Sequence, residues 1–167
     1  MNLKGIQFYP TGSDHNATIY IKSVGVFDES VSFDKETGKT TTLDFSQYAS
    51  GTTFTNVLGS VQTLNGVNML RVDLTSNSKT TILSFLEGEA LKEGDVVTIE
   101  FATADTGFNV YLGDTNIGYS GGTSDKTIEA TVAAGATYDS VKINRYGSGA
   151  STLGYTWIKS ITVTRAA

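Results

Sequence analysis

The run Val96-Val97-Thr98-Ile99-Glu100-Phe101 limits the possible folds more than any other stretch, because Val97, Ile99 and Phe101 share one side of an extended backbone while Thr98 and Glu100 share the other. A period of two buries an apolar face only within a sheet. Leu70, Val72 and Leu74 repeat the pattern against Arg71 and Asp73, as do Ile128, Ala130 and Val132 against Thr127, Glu129 and Thr131. Comparable segments are expected at Leu43–Phe45, Thr53–Val57, Val67–Leu74, Thr81–Leu86, Val96–Phe101, Phe108–Leu112, Thr127–Val132, Ser140–Arg145 and Trp157–Thr164. Turn residues separate them at the spacing of a sandwich or barrel. No stretch sustains a helical period, and Glu87 to Lys92 is at most one turn. Eighteen glycines, a single proline, eight Phe and eight Tyr agree with pleated sheet. The expected class is all-β, a two-sheet antiparallel β-sandwich.

In Tyr155-Thr156-Trp157-Ile158-Lys159-Ser160-Ile161-Thr162-Val163 the alternation slips by one. Ile158 and Ile161 cannot share a face of a regular strand, so an extra residue at Lys159-Ser160, a β-bulge, is needed to bring them into register. Tyr155 and Trp157 then point away from the core. An imperfect copy of the stretch, Thr18-Ile19-Tyr20-Ile21-Lys22-Ser23-Val24-Gly25-Val26, stands 137 residues earlier. At the same offset Ile6 falls on Ile143, Tyr9 on Tyr146 and Gly12 on Gly149, so the match runs through a strand, a turn and a second strand. Residues 1–27 therefore read as a terminal β-hairpin, the tail of a preceding repeat or an added edge hairpin, and residues 28–167 as the sandwich module.

The formal charge of -5, with no run of lysines or arginines, argues against nucleic acid and against an anionic membrane surface, and suits neutral ligands better. Without cysteine there is no disulfide framework and no thiolate chemistry. The first residues lack the apolar run of a signal peptide and no segment has the length of a membrane span. The repeat favours a piece of a longer secreted or cell-surface chain.

No catalytic motif emerges. The single histidine, His15, lies in a loop of turn-formers, and Asp28, Asp34 and Glu36 lack the ordered spacing of a calcium loop. Gly147-Ser148-Gly149 and Gly118-Tyr119-Ser120-Gly121-Gly122 lead into no helix, so a phosphate cradle is not indicated. Glu87, Glu89, Glu93 and Asp95 lie on a polar connection and read as solvated rather than as a glycosidase pair. Aromatic and amide chemistry remains: sugars present a C–H face that a flat ring covers and a rim of hydroxyls that amides and charged groups hold. The candidate ligand-binding residues are Asn109, Tyr111, Tyr119, Asn144, Arg145, Tyr146, Tyr155 and Trp157.

The runs Leu91-Lys92-Glu93-Gly94-Asp95-Val96-Val97-Thr98-Ile99, Val141-Lys142-Ile143-Asn144-Arg145-Tyr146-Gly147-Ser148-Gly149 and Trp157-Ile158-Lys159-Ser160-Ile161-Thr162-Val163 resemble the end of accessory β-sandwich domains, similar to jelly-roll carbohydrate-binding modules, of secreted bacterial polysaccharide-degrading enzymes. The resemblance covers about residues 90–165. It implies a jelly-roll module that is not itself an enzyme and binds a plant polysaccharide or oligosaccharide, with a parent glycoside hydrolase or neighbouring modules in the same chain. Many such modules hold a structural calcium through an aspartate of the last strand. Here Lys159 and Ser160 occupy that neighbourhood, so no cofactor is expected, and a structural calcium stays open without a motif to support it. The alternative is a structural or adhesive β-sandwich of a tandem-repeat cell-surface or phage-fibre protein.

Overall fold

A computed structural model describes residues 29–74, 78–102, 107–120, 125–145 and 154–167. The hairpin expected over residues 1–27 lies outside the described residues. The strands are β1 (Thr40–Asp44), β2 (Ser60–Leu64), β3 (Val67–Leu74), β4 (Thr80–Ser84), β5 (Leu91–Lys92), β6 (Val96–Phe101), β7 (Phe108–Leu112), β8 (Thr115–Tyr119), β9 (Lys126–Thr131), β10 (Thr137–Tyr138), β11 (Ser140–Arg145) and β12 (Gly154–Thr164). The one helical element among them is a short 3-10 turn, Phe45–Gln47, whose N–H of Ser46 is capped by Asp44.

All strand pairs are antiparallel. One sheet has the order β2-β3-β12-β6-β9 with β1 also paired to β12; a second has the order β4-β11-β7-β8; β5 and β10 form a small third ladder. The first two pack face to face. Val61, Leu70, Val72, Val97, Ile99, Ile158, Ile161 and Val163 from one meet Ile82, Leu83, Phe108, Val110, Leu112, Val141 and Ile143 from the other in a continuous core. The result is the β-sandwich that the alternation implies.

The bulge in β12 lies where the slipped pattern requires it. Ile158 pairs with Phe101 and Ser160 with Glu100, leaving Lys159 as the extra residue, and Ile158, Ile161 and Val163 all reach the core. Since Ile158 pairs with Leu70 of β3 as well as with Phe101 of β6, these strands lie on opposite edges of β12. On the β3 edge, β3 covers Gly154 to Ile158 and β1 covers Ser160 to Thr164, so the bulged residue marks the handover between them.

Several boundaries differ from the alternation. Thr53–Val57 supplies only isolated bridges, through Phe54 and Val57. Val31 and Phe33 belong to no strand yet are buried in the core. β2 and β8 carry too few apolar residues to stand out, but each is joined to its partner by a two-residue turn. Asn65 and Gly66 both take positive φ, 51° and 82°, as the tight hairpin between β2 and β3 demands.

The carboxylates at positions 89 and 95 are not a solvated cluster. Glu89 is buried and accepts from Ser32 Oγ and the Phe33 N–H. Asp95, also buried, pairs with Arg165 Nη1 at 2.7 Å and accepts from the N–H groups of Lys92 and Ala166, both at 2.9 Å. Arg165 further donates to the carbonyls of Asp34, Glu89 and Ala90. Apart from the Lys92 N–H, their partners are far away in sequence, which is why adjacency suggested solvent.

Burial by itself raises the Asp95 pKa, but the two backbone donors and the guanidinium outweigh it and hold the carboxyl below its ordinary value. That stabilisation is present above the unfolded-state pKa and is lost as pH falls through the folded-state value. Unfolding in urea at a series of acidic pH values is expected to show this loss, and Asp95→Asn to flatten it. Arg165→Met, which strands a buried carboxylate, is expected to cost about 3–5 kcal/mol at neutral pH. Thr156 Oγ1 is a buried side-chain atom without a hydrogen-bond partner among the described residues. Thr156→Val removes that unmet polar group and is expected to stabilise the fold by about 1 kcal/mol, read as a higher urea midpoint.

Candidate functional site

Alternation along β7 and β11 builds a polar face that also carries aromatic side chains. Phe108, Val110 and Leu112, with Val141 and Ile143, enter the core, so Asn109, Tyr111, Lys142 and Asn144 face outward. Register sets Asn109 opposite Asn144 and Tyr111 opposite Lys142. Asn144 Oδ1 accepts from both Asn109 Nδ2 and Tyr111 Oη, each at 3.1 Å. This fixes the amide plane and spends its oxygen within the protein, while its Nδ2 has no partner among the described residues.

The neighbouring strand β8 contains a second irregularity. Val110 pairs with Gly118 and Tyr111 with Asn116, leaving Ile117 as the extra residue. Ile117 packs on the core, and Asn116 and Tyr119, three residues apart, both reach the outer face. Tyr119 stands opposite Asn109 and is 38% exposed, the most open of the described candidate rings. It lies against Gly107, where a Cβ would fall 1.9 Å from the tyrosine oxygen. A side chain at 107 would push the ring from where it lies. Lys126 Nζ sits 5.7 Å from its centroid.

Three charges border this face. Lys79 Nζ stands 4.6 Å over the Tyr111 ring and 3.3 Å from Asp114 Oδ1, and Lys142 Nζ reaches the same oxygen at 3.4 Å. Asp114 occupies the turn between β7 and β8 with its side chain in solvent. The hydrogen bond from Lys79, and then the positive charge of Lys142, hold its carboxyl below the ordinary value.

The eight residues named from sequence do not form one site. Asn109, Tyr111, Tyr119 and Asn144 converge on the outer face of the four-stranded sheet. Tyr155 and Trp157 pair with Asp73 and Arg71 on the outer face of the other sheet. As the bulge requires, they point away from the main core, but Trp157 is only 6% exposed and packs with Met69 and Ala102. Tyr155 meets it edge-on at 6.5 Å, and the Arg71 guanidinium lies 4.6 Å over Tyr155. Arg145 pairs with Phe108 and therefore sits on the core side of its sheet, at the strand end. Tyr146 lies outside the described residues. Sequence reasoning missed Lys79, Lys142, Asp114, Asn116 and Gly107. The Gly113-Asp114 turn was the available signal, since two strands closed by it must lie side by side.

A cleft of about 250 Å³ elsewhere is lined by Lys35, Glu93, Asp95 and Arg165 among others. Its charges serve the fold: Lys35 binds the Glu87 carbonyl, Glu93 accepts from the Gly135 N–H, and Asp95 pairs with Arg165. Among the described residues no three His, Cys, Asp or Glu side chains gather in a way that suits a metal ion. The outer face of the β4-β11-β7-β8 sheet thus offers a ring, oriented amides and ammonium groups, the means to cover an apolar ligand face and to hold its hydroxyl rim.

Comparison of the chain with protein families, with curated proteins and with solved structures finds no match in any of the three.

Because Trp157 is enclosed, Trp157→Ala acts on the fold rather than on an open platform. It is expected to cost about 3–5 kcal/mol, seen as a lowered thermal midpoint.

Proposed function

We propose that the protein is a non-catalytic carbohydrate-binding module, a sugar-binding β-sandwich that holds a parent enzyme on a plant cell-wall polysaccharide of β-glucan or xylan type. The observation that carries this reading is the convergence of Asn109, Tyr111 and Tyr119 of the β7–β8 hairpin with the distant Asn144 of β11 on one sheet face. Tyr119, backed by Gly107, serves as the stacking ring for a pyranose face. Asn144, oriented by its two internal bonds, and Asn116 on the adjacent strand hold the hydroxyl rim. Tyr111, almost wholly covered, acts as a support. The ligand lies across the strands, and binding needs no covalent chemistry. Such a module works on a secreted or cell-surface protein beside further modules of the same chain.

One observation favours a second reading, a structural or adhesive β-sandwich of a tandem array: Trp157 and Tyr111, two of the strongest candidate rings, are buried as packing residues are. Affinity electrophoresis in gels containing xylan, β-glucan, xyloglucan, mannan or pectin separates the two. Retardation on at least one gel is expected, with Tyr119→Ala weakening binding about tenfold while the thermal midpoint holds. Free migration on every gel would leave the adhesive reading in its place.

A further inference from the structure

The chain as a whole carries a formal charge of -5, yet the candidate sugar face is edged by positive groups. Lys79 comes from the entry to β4, Lys142 from β11 and Asp114 from the β7–β8 turn, so three separate segments bring two ammonium groups and one carboxylate together. Both ammonium groups contact the same Oδ1 atom, at 3.3 and 3.4 Å, and Lys79 also donates to the Asp114 carbonyl at 3.3 Å. A single carboxylate oxygen cannot neutralise two lysines, so the cluster retains a net positive charge. Asp114 is a weak hold, since its side chain is 77% exposed on a turn and ion pairs of this kind contribute little in water.

The cluster adjoins the groups that would bind the sugar. Lys142 stands opposite Tyr111 and two residues before Asn144 on the same strand face, and Lys79 covers the Tyr111 ring. A ligand lying across Tyr119, Asn109 and Asn144 extends toward these ammonium groups. Hydroxyls alone would leave the net positive charge unmatched, whereas a carboxylate on the sugar supplies the second negative charge that the cluster lacks.

From this, and resting on the carbohydrate-binding reading above, we propose that the face selects acidic glycans, with Lys142 and Lys79 receiving a uronate carboxylate beside Tyr111. The specificity is for a glucuronate or galacturonate unit, carried as a branch or within the chain. The negative charge elsewhere on the protein leaves this local preference in place, because screening at physiological ionic strength limits each charge to roughly 8 Å.

Isothermal titration with paired ligands tests this: glucuronate-substituted against unsubstituted xylo-oligosaccharides, and oligogalacturonate against its methyl-esterified form. The acidic member of a pair is expected to bind more tightly, and its advantage to shrink in high salt. Lys142→Met and Lys79→Met are each expected to weaken acidic binding about two- to fivefold and neutral binding by clearly less. Asp114→Asn, which removes the competing carboxylate, is expected to strengthen acidic binding. All three positions are exposed or half-exposed, and thermal midpoints confirm that the variants fold. Equal affinity within each pair, or equal loss of acidic and neutral binding in the lysine variants, overturns the uronate assignment while the module remains a glycan binder. Polyaspartate binding as tightly as oligogalacturonate also overturns it, making the face a general anion surface. No binding to any glycan overturns the carbohydrate reading and this inference together.

Discussion

The larger sheet depends on β12, a single strand that three others must reach. β3 and β1 take successive halves of one edge and β6 takes the other, while Ile158, Ile161 and Val163 from the same strand fill the core. These demands conflict in a regular strand, because the apolar positions fall out of phase between Ile158 and Ile161. The extra residue at Lys159 resolves the conflict: it resets the phase and falls where one edge partner gives way to the next. β8 solves the same problem on the opposite sheet, where Ile117 turns inward so that Asn116 and Tyr119 can both face out.

Beyond β12 the chain is fastened by a charged group rather than an apolar one. Arg165 is enclosed among Asp95 and the carbonyls of Asp34, Glu89 and Ala90, and Asp95 in turn accepts from the chain on either side of it. Every partner in this knot is a hydrogen-bonding group that would be costly to bury alone. Glu89 plays a matching part by receiving Ser32 and Phe33, which brings the strandless segment containing Val31 and Phe33 down onto the core. One end of the sandwich is thus held by polar contacts spanning distant parts of the chain.

How much of this was readable beforehand follows from which forces act locally. Val67–Leu74, Val96–Phe101, Phe108–Leu112 and Ser140–Arg145 were legible to the residue, because each displays its buried face as strict alternation. The bulge was legible for the same reason, as an error in that alternation. β8 was not, since Thr115–Tyr119 has one aliphatic residue, Ile117, and is a strand because β7 pairs with it. The site was legible only in part. Alternation tells which side of its own strand a residue takes, so Asn109 and Tyr111 were placed outward. It does not tell which strands are neighbours, and so Tyr155 and Trp157 were grouped with residues that lie on the other sheet. Nor does an aromatic residue reveal whether Met69 and Ala102 will close over it. The lysines beside Tyr111 went unnoticed because Lys79 and Lys142 are 63 positions apart and meet only through Asp114.

The place of β12 in the chain has a consequence for how the molecule forms. β1 occupies residues 40–44, yet its only strand partner among the described residues is residues 160–164, so more than a hundred residues intervene between two strands that must touch. On a ribosome, β2, β3 and β6 emerge with a vacancy at the middle of their sheet: β2 pairs with β3 and β6 with β9, but nothing yet joins β3 to β6. Such high contact order slows folding, because a long loop must close before its contacts repay the entropy. Until the last strand slides in, the nascent sheet presents bare edges that a chaperone or a neighbouring nascent chain can occupy.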